Sequence, residues 1–101
     1  RQEPFGPLVP ILSFKSFDEV IKRANDHDLG LCSYVCTNSM EKAHLASEQL
    51  ETGSVAVNTG VVAVAEAPFG GIKQSGYGRE GGSSAIKDYL NVKYTHLGIK
   101  G

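Results

Sequence analysis

Apolar and polar positions change rhythm along the chain, and each change marks an element. Residues 8–14 are almost continuously apolar (Leu8, Val9, Ile11, Leu12, Phe14) and predict a short buried strand. Pro10 suits the start of that strand or a sheet edge. Ser16-Phe17-Asp18-Glu19 then forms a capping box, in which Ser16 accepts from the Glu19 amide and Glu19 reaches back. Phe17, Val20, Ile21 and Ala24 follow at helical spacing and define one apolar face. Residues 25–30 stop the helix, with Gly30 able to take a positive φ.

Residues 31–37 are β-prone and predict a second strand. Asn38-Ser39-Met40-Glu41 is a new helix start. Met40, Ala43, Ala46 and Leu50 are its expected buried stripe, and Gly53 stands where a C′ glycine belongs. Residues 54–58 predict a third strand. The first half therefore predicts an α/β fold, β-α-β-α-β with mostly parallel strands and helical crossovers. A Gly-rich loop, a short helix carrying Ala85, Ile86, Tyr89 and Leu90, and a terminal strand over 91–97 complete the pattern. That last strand has no hairpin partner before it, so it is expected to complete a sheet in another domain or subunit.

Composition narrows the function classes. The chain has 101 residues, enough for one domain or part of one. Its formal net charge is −1 with no basic cluster, which argues against nucleic acid or an anionic membrane as main partner. The apolar run at 61–65 is far too short to span a bilayer. The chain opens on Arg1 and not Met, as a cut or processed polypeptide does. Cys32 and Cys36 lie four residues apart; on a strand that is roughly 13 Å, too far for a disulfide or a shared metal ion. Two small buried thiols are expected, suited to a reducing compartment and a cytoplasmic location.

Candidate chemistry gathers at the two ends. Gly76-Tyr77-Gly78-Arg79-Glu80-Gly81 matches G-x-G-x-x-G literally, but no strand runs directly into it and no acid stands about twenty positions on. It is not treated as a dinucleotide fingerprint. His27, His44 and His96 are isolated, and no metal site is expected. No Gly-x-Ser-x-Gly elbow occurs. Glu3-Pro4-Phe5-Gly6-Pro7 fixes an acid and an aromatic two residues apart. That pair suits a ribosyl-nicotinamide, and it suits equally a chain-entry loop whose Phe5 is core.

Glu3-Pro4-Phe5-Gly6-Pro7, the β-α-β-α-β run, Gly53, Asn58, and then Pro68-Phe69-Gly70-Gly71-Ile72-Lys73-Gln74-Ser75-Gly76 follow in an order that resembles the C-terminal part of NAD(P)-dependent aldehyde dehydrogenases. With Gly78-Arg79-Glu80-Gly81 and Asp88-Tyr89-Leu90, the chain looks most like succinate-semialdehyde dehydrogenases. The resemblance implies a fragment of an enzyme that oxidises an aldehyde to a carboxylate through a cysteine thioester, with NAD or NADP as cofactor. Glu3 would bind the nicotinamide ribose and Phe5 its ring. Residues 59–67, with Ala63 among them, would close over the substrate, and Phe69 would line its tunnel. Glu80 would influence a proton or water path. The nucleophile and general base would lie upstream, so no catalytic residue is expected in this chain. Residues 1–90 would belong to the catalytic domain and 91–101 to an oligomerisation region joining a dimer or tetramer. Ala63 departs from the serine that succinate-semialdehyde enzymes commonly place in the closing loop. Without the resemblance, the same elements would suit a small non-catalytic ligand-binding, regulatory or assembly module.

Overall fold

The computed structural model describes residues 3–101. Helix α1 runs Phe17–Asn25, followed by β1 (Leu29–Gly30), β2 (Cys32–Val35), α2 (Met40–Gln49), β3 (Ser54–Val57), β4 (Ile72–Lys73) and a 3₁₀ helix, Ala85–Tyr89. Both helices start where their serines can cap them. Ser16 Oγ accepts from Glu19 N at 3.2 Å, and Ser39 Oγ accepts from Lys42 N at 3.2 Å. Glu19 reaches back to the amide of Lys15, at 2.9 Å. That bond, aided by Arg23, holds the Glu19 carboxyl below its ordinary range.

The centre of the fold is β2–α2–β3. β2 and β3 pair in parallel, with Cys32 opposite Ser54 and Val35 opposite Val57. A parallel pair needs a crossover, and α2 supplies it. Leu50 and not a glycine caps α2. Asn58 continues the ladder, donating to Val35 O at 2.8 Å, and then turns at φ 55°. Its side-chain amide exchanges two bonds with the Thr37 backbone, each 2.9 Å. A second small sheet pairs β1 with β4 antiparallel, Gly30 opposite Ile72, and ties the Gly-rich loop to the end of α1.

The expected β-α-β-α-β order is met only in part. Residues 8–14 form no strand, and their apolar side chains are exposed, Ile11 at 89%. No described segment lies beside them to complete a ladder. Residues 91–97 likewise lie outside any sheet, with Val92 and Tyr94 exposed. Met40 and Ala24 fall outside the covered faces of their helices. Cys32 is half-buried and Cys36 exposed, both as free thiols, which corrects the expectation of two buried cysteines. Gly30 and Gly53 keep ordinary φ values. Their missing side chains serve close approach instead: a Cβ on Gly30 would stand 2.7 Å from the Glu51 carbonyl oxygen.

These exposures add up. A compact folded chain of this mass exposes about 5,500 Å², whereas this one exposes 8728 Å². Its radius of gyration is 19.2 Å, against about 13 Å for a compact chain of this length. Among the described residues, the buried hydrophobic ones are Ala46 and Ala56. The excess area, about 3,000 Å², is of the size that permanent subunit contacts cover. Residues 1–101 expressed alone are therefore predicted to self-associate at micromolar concentration. Sedimentation velocity over a tenfold dilution series checks this; a monomer at every concentration would contradict it.

Candidate functional site

The Gly-rich stretch is held to the β-α-β frame at its base. Gly53 N donates to Gly30 O at 3.0 Å, bringing the α2–β3 turn against β1. On the other side of Gly53 lies the Gly70 carbonyl, so near that any Cβ on Gly53 would collide with it. Gly71 is equally constrained by Ser75, whose Oγ accepts from Gly30 N at 2.9 Å. Gln74 N donates to Asp28 O at 2.9 Å.

Lys73 completes this base. It sits in the left-handed region at φ 54°, unusual for a residue with a side chain. Its ammonium donates to Asn25 O at 3.0 Å and His27 O at 3.1 Å, and stands 2.6 Å from Glu51 Oε2. Asn25 in turn spans the end of α2, donating to Gln49 O at 2.7 Å and accepting from Glu51 N at 2.9 Å. A cation at the carbonyl end of α1 is also favoured by the helix dipole. One polar cluster thus joins α1, α2 and the loop.

Above that base, Phe69 and Glu80 exchange both backbone hydrogen bonds, each 2.7 Å. Arg79 braces the hairpin from inside, donating to Gly71 O at 3.0 Å and Gly78 O at 2.7 Å. Arg79 N donates to Asp88 Oδ2 at 3.1 Å, which brings the 3₁₀ helix alongside. The result is a cleft of about 390 Å³ whose lining includes Phe69, Tyr77, Arg79, Glu80, Asp88 and Tyr89. It combines one apolar ring, two phenols, a cation and two carboxylates.

Of the residues singled out from sequence, the structure brings Phe69 and Glu80 together in this cleft. Ala63 lies exposed on the preceding loop and does not line it. Glu3 and Phe5 lie on the exposed leading segment, Phe5 at 93%, and line neither this cleft nor the apolar groove between α1 and α2. Cys32 and Cys36 line that groove, of about 700 Å³, and not the Phe69 cleft. Cys32 Sγ and Tyr34 Oη lie 3.8 Å apart, and the hydrogen bond between them holds the Tyr34 hydroxyl pKa up. Residues 76–81 take positive φ at Gly76, Gly78 and Gly81 and lead to no α-helix. A pyrophosphate would find no helix N-terminus there.

The family model for aldehyde dehydrogenases matches residues 1–95. The chain belongs to the aldehyde dehydrogenase family. It is 48% identical over 98 residues to glutarate-semialdehyde dehydrogenase of Pseudomonas aeruginosa, covering 97% of this chain and 20% of that one. It is 44% identical over 99 residues to the NADP(+) succinate-semialdehyde dehydrogenase of Escherichia coli, covering 98% of this chain and 20% of the other. Among solved structures, the NAD+ complex of a Bacillus cereus aldehyde dehydrogenase superposes with a TM-score of 0.89 at 45% identity, covering 95% of this chain and 20% of that one. The chain spans about a fifth of the length of the curated relatives it matches.

Sequence reasoning missed the Lys73 cluster and the reason for Gly53. The sequence places Lys73 in the Gly-rich loop and reads Gly53 as a C′ glycine, but their partners lie 17 to 48 residues away. We predict that Gly53→Ala in the full-length protein forces the α2–β3 turn away from Gly70 and lowers stability by about 1–3 kcal/mol, the usual range for overpacking. Chemical denaturation of the two proteins measures this; equal midpoints would show that the backbone yields freely.

Proposed function

We propose that this chain is the C-terminal part of the catalytic domain of an NAD(P)-dependent aldehyde dehydrogenase and forms one wall of its active centre. The observation that carries the proposal is the paired Phe69 and Glu80 in the glycine hairpin, within a chain that matches the family over residues 1–95. The reaction is oxidation of an aldehyde to its carboxylate. A cysteine thiolate outside these residues would add to the carbonyl carbon and water would cleave the resulting thioester; NAD(P)+, held along one edge by Glu3 and Phe5, would supply the hydride acceptor. Neither Cys32 nor Cys36 opens into the Phe69 cleft, which supports a nucleophile outside these residues.

Each residue then has a task. The Glu3 carboxylate accepts from the nicotinamide ribose hydroxyls, and Phe5 packs beside the base. This donor set fits a ribosyl-nicotinamide along one edge, and both side chains are free to meet it. Ala63 and its loop close over the aldehyde, and Phe69 lines the substrate path. Glu80, beside Phe69, guides a proton or water. Exposed residues 91–97 add a strand to the sheet of a neighbouring subunit, giving a homodimer or homotetramer, with 1–90 remaining in the catalytic domain. Two free thiols support a reducing compartment, and we place the protein in the cytoplasm.

Both named relatives act on short aldehydes that end in a carboxylate. We propose a semialdehyde, such as succinic semialdehyde, as the substrate class. The deciding experiment assays the full-length protein for aldehyde-dependent reduction of NAD+ and NADP+. Turnover with a semialdehyde is expected, and residues 1–101 alone should be silent. Turnover by the isolated chain, or none by the full-length protein with any short aldehyde, would end the proposal.

Ala63 offers no hydrogen bond to a distal carboxylate. Ala63→Ser should raise kcat/KM for succinic semialdehyde relative to butanal by about 10- to 100-fold, the worth of one hydrogen bond to a charged group. An unchanged ratio would remove Ala63 from substrate selection.

A further inference from the structure

The loop that carries Ala63 is tied at both ends. At its start, the Asn58 amide is fixed to Thr37 by two bonds of 2.9 Å. Val61 N then donates only locally, to Thr59 Oγ1 at 3.2 Å. At its far end the loop turns through a bond from Ala67 N to Val64 O, 3.2 Å, and runs antiparallel to the Glu80 segment. Phe69 and Glu80 form one rung there. Beyond that isolated bridge, Gly82 N donates to Ala65 O at 2.9 Å.

That far end has no space for side chains. Gly81 and Gly82 take φ +67° and +64°. A Cβ on Gly81 would stand 2.8 Å from Ala67 O and 3.3 Å from Ala65 O. On Gly82 it would stand 3.0 Å from Pro68 N and 3.1 Å from Pro68 Cδ. These neighbours are main-chain or ring atoms, which cannot swing aside. By contrast, Gly60 at the start of the loop has nothing within 4 Å and no positive φ.

We infer that Gly81 and Gly82 are positioning residues that set how far the 59–67 loop closes over the aldehyde, and so help to select the substrate. The inference rests on the proposed aldehyde oxidation. With both ends tied, displacement of the Gly81–Gly82 end shifts Ala63 relative to Phe69. Glu3 and Phe5 stand on a different segment, so the cofactor contacts stay where they are. The signature is a change in aldehyde KM and selectivity without a change in NAD(P)+ KM.

The test compares the full-length protein with Gly81→Ala, Gly82→Ala and Gly82→Asn. Steady-state kinetics are read with succinic semialdehyde, butanal and NAD(P)+, and amide hydrogen exchange is followed over residues 60–69. Gly81→Ala and Gly82→Ala should each raise aldehyde KM about 10-fold, within the loss of up to roughly 100-fold that a 1 Å displacement causes. The semialdehyde-to-butanal ratio should move at least threefold, NAD(P)+ KM should stay within twofold, and amide exchange at Ala67 and Phe69 should quicken. Asparagine tolerates left-handed backbone but keeps its Cβ, so Gly82→Asn should match Gly82→Ala. The less crowded Gly82 variants carry the test if Gly81→Ala fails to fold. Unchanged exchange at Ala67 would overturn the clasp. A common fall in kcat with fixed KM values would overturn its role in selection. Absence of aldehyde turnover in the unmodified protein would instead sink the underlying enzyme reading, while the exchange measurement would still judge the clasp.

Discussion

Direct contact between backbones, with no side chains between them, is the constraint on which the rest depends. Gly30, Gly53, Gly70 and Gly71 meet where the β-α-β frame receives the glycine hairpin. Each lacks a Cβ for a steric reason and not to reach unusual φ. The approach lets Gly53 reach Gly30 O and Ser75 reach Gly30 N, so buried polar groups are satisfied across the junction. Phe69 follows directly from Gly70, and its placement is therefore inherited from that junction.

Charge then locks what shape permits. Lys73 brings one ammonium to the carbonyls of Asn25, the last residue of α1, and His27 and to the Glu51 carboxylate, and its side chain is about one-quarter exposed, at 26%. Glu51 is 55% exposed, so solvent screens the ion pair and the pair alone adds little stability. The bonds to carbonyls matter more, because they satisfy groups left over at the end of a helix. Lys73 holds a strained backbone conformation to reach them, which locates specificity in the geometry and not in the net charge.

Much of this was legible locally. The Ser16 and Ser39 caps and the parallel strands around α2 follow from patterns within a few residues, and the structure contains them. Phe69 and Glu80 were marked as site residues, and a short antiparallel bridge joins them. Residues 8–14 show where local pattern fails. An apolar run reports that cover is needed, but not whether these residues supply it. The same blindness affected Gly53, read as a helix terminator because it follows α2, although its partner Gly70 lies far along the chain. Lys73 gave no signal at all, since a lysine in a polar loop is ordinarily solvated.

The two parts of this architecture should also assemble in a definite order. β2–α2–β3 closes over about twenty residues, whereas the bond from Gly30 to Ser75 spans 45. Longer closures cost more chain entropy and repay it only once the frame exists to receive them. The hairpin bearing Phe69 is thus the late-docking piece during folding and the early-opening piece during local fluctuation. A cleft wall built this way can breathe while the helices behind it stay intact.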